Sequence, residues 1–212
     1  MDDHSVLREG LAMVINGQPD LLVCGEAADA PRALEIIGAV EPDIAIVDLS
    51  LVGGSGLELV KDIKALHPDL ATLVLSMHDE TLYAERALRA GARGYIMKRA
   101  STDELLAALR KVLDGGIYLS EQMSALVVGQ PFGDRATPLV ARPSLESLSD
   151  RELEVFQLLG EGRSTQEVAR LLGLSMKTVS CYRQNIKNKL RLKDATELVQ
   201  HAIHWAANPP AE

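Results

Sequence analysis

Through the first 118 residues, short β-branched apolar runs alternate with amphipathic stretches of helical period. This alternation restricts the fold more than any other feature of the chain. Strands separated by helices pair in parallel, and the helices then cover the sheet. Strands are expected at 21–25, 43–48, 71–76 and 94–97. The first helix is expected over 5–16, with Val6, Leu7, Leu11, Val14 and Ile15 on one face. A second opens at Asp29 with Pro31 in its first turn, where a missing amide hydrogen costs little. Others are expected over 55–66 and 80–90. A fifth starts at Ser101, has Glu104 three residues on as a capping box, and is stopped by Gly115 and Gly116.

In an open parallel sheet, ligands gather beyond the carboxyl ends of the strands. That is where this sequence places its polar residues. Asp2 and Asp3 precede the first helix, Asp48 and Ser76 each end an apolar strand, and Lys98 follows the last one. Carboxylates about 4 Å apart repel by roughly 4 kcal/mol at an effective dielectric of 20, so such a cluster calls for a divalent cation or a raised pKa. Oxygen ligands with open water positions favour Mg²⁺, which also suits phosphate chemistry. A single Asp or Lys after a strand is usually a turn former or a solvated charge, whereas a fixed order across four segments is a far more specific signal.

With DDH at the front, PDIAIVDLSL around Asp48, TLVLS at Ser76 and GYIMK at Lys98, residues 1–118 resemble a response-regulator receiver domain of flavodoxin-like fold. The resemblance implies that Asp48 accepts a phosphoryl group from the phosphohistidine of a sensor histidine kinase. It implies that Asp2, Asp3, Asp48 and the backbone carbonyl of Ser50 hold Mg²⁺. Lys98 then pairs with the phosphoryl oxygens, Ser76 hydrogen-bonds the phosphoryl group, and Tyr95 is the aromatic that changes rotamer. Departures from the family pattern are Val52 in place of a proline, Gly54 where polar residues are commoner, and Arg99 beside the lysine. A larger departure stands at the start. A receiver has a central apolar strand ahead of its acidic pair, and here Met1 stands where that strand ends. The expectation is a start that is misassigned or trimmed; the alternative is a receiver without its central strand, completed by another chain.

Residues 119–147 read as a linker broken by Pro131, Gly133, Pro138 and Pro143, with room for a short helix over 121–128. From 148 to 212 only helical periodicity remains. Ser149 with Glu152 and Ser164 with Glu167 fit capping boxes, and Ser175 caps a third helix. The stretch LSDRELEVFQLLGEGRSTQEVARLLGLSMKTVSCYRQNIKNKL resembles the LuxR-type helix-turn-helix of NarL/FixJ response regulators. Val179, Tyr182, Ile186 and Leu190 recur at helical spacing and are expected to bury, leaving Ser180, Cys181, Gln184, Lys187 and Asn188 outward. Lys177 and Thr178 sit in the first turn, where side chains and free amides bind a phosphate, and Arg183, Lys187 and Lys189 add phosphate contacts. The resemblance assigns base reading to Ser180, Cys181 and Gln184. A final helix over 194–206 places Leu198, Ala202 and Trp205 together, as core or as a dimer face.

The formal charge of −8 argues against nucleic acid only until its distribution is examined. The first 133 residues hold 11 Lys+Arg against 20 Asp+Glu, residues 145–212 hold 9 of each, and no acid falls between Ser175 and Lys193. The two cysteines, Cys24 and Cys181, match no metal-ligand spacing and read as free thiols. No apolar run spans a membrane and no basic-then-apolar leader is present, so a cytoplasmic protein is expected. These readings converge on a phosphorylation-regulated transcription regulator that binds promoter DNA as a homodimer and is not an enzyme. Two rivals stand beside it. A phosphatase or phosphotransferase using an aspartyl phosphate usually carries a second acid where this chain has Ser50. A DNA-binding regulator using its receiver only for dimerisation would be indifferent to phosphate.

Overall fold

The computed structural model describes residues 1–51, 54–121, 123–124 and 145–207. Val52, most of the expected 121–128 helix and most of the linker lie outside the described residues. The chain divides into two compact units, Met1–Pro131 and Phe132–Glu212.

In the first unit, α1 (Ser5–Asn16) and α2 (Ala30–Val40) precede β1 (Ile44–Val47), α3 (Gly56–Leu66), β2 (Ala71–Ser76), α4 (Glu80–Ala90), β3 (Gly94–Met97) and α5 (Thr102–Leu113). The three strands are parallel, in the order β1-β2-β3. Central β2 is buried at every residue, whereas edge strand β1 is buried only at alternate ones. The helix starts obey local chemistry: the Asp29 side chain accepts from the Arg32 amide, and Ser101 and Glu104 form the full capping box. One side of the sheet is covered by a core of Ile15, Leu73, Leu75, Ile96, Leu105 and Leu109, against which Leu11, Val14, Leu21, Val23, Ile44 and Ile46 are half-buried.

Two expectations fail here. Val6 does not join the apolar face of α1; it is 80% exposed. Residues 21–25 do not form a strand. A parallel strand exists only by its ladder partner, and among the described residues no strand pairs with 21–25. Between β1 and the segment at Ala27, the Met1 amine donates to Ile46 O (2.9 Å), Asp48 N donates to Met1 O (2.9 Å), and Asp2 N donates to Ala27 O (3.2 Å).

The second unit is a short 3-10 turn at Leu145–Ser147 followed by α6 (Asp150–Gly160), α7 (Thr165–Leu171), α8 (Met176–Leu190) and α9 (Ala195–Ala207). Leu153, Val155, Phe156, Val168, Val179, Ile186, Leu198 and Ala202 close its core. Leu198 and Ala202 are thus core residues, and Trp205 packs its ring 5.9 Å from Phe156. A Cβ on Gly160 would come within 2.7 Å of the Ala202 carbonyl, so α6 and α9 approach this closely only because residue 160 has no side chain. No helix among the described residues is long and apolar enough to cross a membrane.

Candidate functional site

Pairing Val47 with Val74 and Ser76 with Met97 sets the strand ends level, so Asp48, Ser76 and Lys98 leave the sheet along one rim. The Lys98 amine lies 2.7 Å from Asp48 Oδ2 and 2.7 Å from Asp2 Oδ2. Asp48 is 1% exposed, and its Oδ1 is buried without a hydrogen-bond partner. Burial raises the Asp48 pKa above the ordinary carboxylate value, against the opposing pull of Lys98 and the Ser50 amide. At Asp2 burial acts the same way, but hydrogen bonds from Lys98 and from the His4 amide outweigh it and hold the carboxyl low. Burial would lower the Lys98 pKa, and the two carboxylates more than restore it.

Asp2, Asp3, His4 and Asp48 each offer a ligand atom, all within 4.8 Å of one another. The oxygen donors in this set, together with the unsatisfied Asp48 Oδ1, fit a hard divalent cation. His4 was not among the expected ligands, although it is the third letter of the DDH motif. Its Nδ1 lies 3.2 Å from Asp2 Oδ1 and 2.7 Å from Asp3 Oδ1.

Ser76 is fully buried, and its hydroxyl accepts from the His78 amide (3.1 Å). Tyr95 is buried as well, and its hydroxyl donates to His78 O (2.7 Å). His78 itself was missed by the sequence reading. Its ring stacks on Tyr83, its Nε2 lies 2.8 Å from Ser50 Oγ, and its pKa is pushed down to about 4, first by burial and then by Lys98. A neutral imidazole thus joins the loop after β1 to the loop after β2. Ser50 contributes a side-chain contact that sequence gave no reason to expect.

In the second unit, Ser175 accepts from the Thr178 amide and opens α8, and Gly173 makes the preceding turn with φ of 64°. Val179, Ile186 and Leu190 are buried, while Tyr182 is only half-buried. Lys177, Ser180, Cys181, Gln184 and Asn188 are exposed, and Thr178, Arg183 and Lys187 half-buried. Several of these groups bond within the unit. Ser180 Oγ donates to Met176 O, Gln184 Nε2 donates to Asn188 Oδ1 (3.0 Å), and Arg183 donates to Thr165 Oγ1. Lys189 Nζ lies 2.6 Å from Glu152, whose carboxyl is buried among capping contacts at the start of α6. The expected phosphate set is therefore split: Lys177 is exposed and Lys187 half-buried on the helix surface, whereas Arg183 and Lys189 already tie α8 to α7 and α6.

Residues 1–110 match the family model of the response regulator receiver domain, and residues 146–202 match that of bacterial regulatory proteins of the luxR family. The chain is 36% identical over 204 residues to the oxygen regulatory protein NreC of Staphylococcus carnosus (strain TM300), covering 95% of this chain and 94% of that protein. It is 37% identical over 205 residues to NreC of Staphylococcus aureus (strain MRSA252), with the same coverage. Among solved structures, RcsB of Salmonella enterica serovar Typhimurium bound to promoter rprA in the presence of the phosphomimetic BeF3⁻ superposes with a TM-score of 0.67 at 26% identity, over 95% of this chain and 96% of that one.

Proposed function

We propose, for a chain that belongs to the two-component response regulators of the LuxR-type (NarL/FixJ) family, that Asp48 is the phosphoacceptor through which this transcription regulator is controlled. The chain is a phosphorylation-regulated, DNA-binding regulator of transcription. The observation that carries the site assignment is the Lys98 amine held 2.7 Å from both Asp48 and Asp2. That ammonium neutralises the two carboxylates and stands ready for the oxygens of an incoming phosphoryl group. A carboxylate oxygen of Asp48 forms the new O–P bond while the P–N bond of a kinase phosphohistidine breaks and the imidazole departs with the electron pair. No catalytic base is required, because the nucleophile is already ionised. Asp2, Asp3, Asp48 and the Ser50 carbonyl hold Mg²⁺ in this reading, with His4 beside them, and the ion supplies charge neutralisation at the transferring oxygens. Ser76 receives the phosphoryl group by hydrogen bond, and Tyr95 follows the displaced loop.

The second unit binds promoter DNA. Lys177, Thr178 and the first-turn amides of α8 hold a phosphate, Lys187 adds a further contact, and Arg183 and Lys189 contribute while anchoring the helix. Ser180, Cys181 and Gln184 face the base edges; Gln184 suits adenine once it releases Asn188. Binding as a homodimer on a two-fold site follows from this reading, with a cytoplasmic location beside the kinase and the DNA. The rival in which the receiver is a phosphate-indifferent dimerisation module is not favoured, because such a module has no use for buried Asp48 and its lysine. The test is intact mass after incubation with acetyl phosphate and Mg²⁺. Wild type gains one phosphoryl group and Asp48→Asn gains none; equal labelling of both would remove Asp48 from its role.

A further inference from the structure

After α5 the chain returns to the sheet. Tyr118 lies along the outer edge of β3 in a parallel bridge with Gly94: its amide donates to Arg93 O (2.9 Å), and the Tyr95 amide donates to Tyr118 O (3.0 Å). Two residues on, the Ser120 amide donates to Glu80 Oε1 in the first turn of α4 (3.1 Å). We propose that this segment, where the linker begins, is a strap that is anchored at Tyr118 and latched at Ser120 by Glu80, and that phosphorylation of Asp48 opens the latch. The inference rests on the phosphoacceptor reading of Asp48 and adds to it the point at which the linker senses that event.

The two ends of the strap are held unequally. Two backbone hydrogen bonds fix Tyr118. A Cβ on Gly94 would come within 3.1 Å of both Tyr118 Cβ and Tyr118 O, so the segment lies directly against bare backbone. The Lys111 ammonium stands 5.8 Å from the centre of the Tyr118 ring, and Arg93 Nη1 donates to Gly115 O (3.1 Å) just ahead of it. The tie at Ser120 is a hydrogen bond to one side chain. Ser120 in turn sets the residues that follow: its hydroxyl accepts from the Met123 amide (3.1 Å), its carbonyl accepts from the Ser124 amide (2.9 Å), and Met123 is buried. Release at Ser120 therefore loosens one turn of the linker without detaching the strap.

Glu80 stands on the moving side of the site. It follows the loop that leaves β2, and His78 in that loop is held at both ends of its backbone. The His78 amide donates to Ser76 Oγ (3.1 Å), and His78 O accepts from the Tyr95 hydroxyl (2.7 Å). The Asp79 side chain accepts from the Thr81 amide, so Glu80 travels with the loop as part of one capped turn. When Ser76 turns its hydroxyl to a phosphoryl group on Asp48, the loop is drawn to the rim with Tyr95 behind it, and Glu80 is carried along. A hydrogen bond fails beyond about 3.5 Å, so a shift of about 1 Å at Glu80 frees the Ser120 amide. The anchor stays, because its partners at Arg93 and Tyr95 are backbone groups of the sheet edge.

The test is residue-resolved amide hydrogen exchange on the full chain, with and without beryllofluoride and Mg²⁺, for wild type, Glu80→Ala and Glu80→Gln. Fluorine resonances report whether the mimic is bound. In wild type the bound mimic is expected to speed exchange at Ser120 by about tenfold or more, while the Tyr95 and Tyr118 amides stay slow. Glu80→Ala is expected to show the fast Ser120 rate without the mimic and to change little when it binds. Glu80→Gln keeps an acceptor oxygen and retains most of the protection. Slow Tyr118 exchange in both variants verifies that they are folded. A bound mimic with unchanged Ser120 exchange would overturn the strap while leaving the phosphoacceptor reading intact. So would equal Ser120 exchange in wild type and Glu80→Ala, or acceleration at Tyr118 and Ser120 alike, which is detachment of the whole segment. Failure of the mimic to bind would overturn the reading of Asp48 and remove the trigger with it.

Discussion

In the helical unit α6, α7 and α8 each open on a serine whose hydroxyl accepts the amide three residues on, and the apolar faces close on one another around Leu153, Phe156 and Ile186. In the receiver α2, α4 and α5 have side-chain caps too, though α1 has none, and β1 is the edge strand, with Met1 bonded to its outer side and half-buried leucines and isoleucines beside it. The difference shows how far local chemistry reaches. A helix satisfies its amides within itself and needs only a neighbour for its apolar face, so four capped helices make a finished core. A parallel strand satisfies its amides only through partners distant in sequence, and 21–25, with no ladder partner among the described residues, is irregular backbone however apolar its residues are.

Equal truncations in the two units put the contrast to its most severe trial. Leu153→Ala removes a fully buried side chain and is expected to cost about 2–5 kcal/mol, whereas Leu11→Ala, half-buried against the receiver core, should cost clearly less because part of its surface is already solvated. Urea unfolding reads both. The sole tryptophan, Trp205, reports the helical unit by its fluorescence, and equal losses at the two sites would mean that Leu11 is as enclosed as Leu153. A smaller effect is expected at the cap of α6, where Ser149→Ala should cost about 1 kcal/mol. Trp205 fluorescence should register the loss while the receiver transition stays in place. The smallest is a pH effect. Burial raises the Glu152 pKa, but hydrogen bonds from Lys189 and Ser149 outweigh it and leave the carboxyl below its ordinary value. The stability it confers is complete above the unfolded pKa of 4.5 and drains away as pH falls through the lower folded one. Glu152→Gln should flatten that acid limb in the Trp205 signal; an unchanged slope would detach the Lys189 pair from stability.

What could be read from sequence follows the same division. Capping boxes at Ser101, Ser149 and Ser164, the turn at Gly173, and the burial of Val179, Ile186 and Leu190 are local or periodic, and all appear in the structure. Asp2, Asp48 and Lys98 were legible as one site because a parallel sheet brings strand ends to one rim, and the structure joins them at 2.7 Å. His78 and His4 were not read as participants, since no spacing rule distinguishes a histidine that bridges two loops from one that faces water. The pairing of Lys189 with Glu152 was equally hidden, being a tertiary contact across 37 residues. Exposed Val6 sits on the apolar stripe of α1 that periodicity identifies, but periodicity cannot tell where a covering core ends.

The most direct measurement of the central claim is the affinity of the full chain for operator DNA across a salt series, with and without beryllofluoride and Mg²⁺, for wild type and Asp48→Asn. The account predicts salt-sensitive binding that the phosphoryl mimic strengthens in wild type and leaves unchanged in Asp48→Asn. An identical response of the two proteins, or binding indifferent to salt, would contradict it.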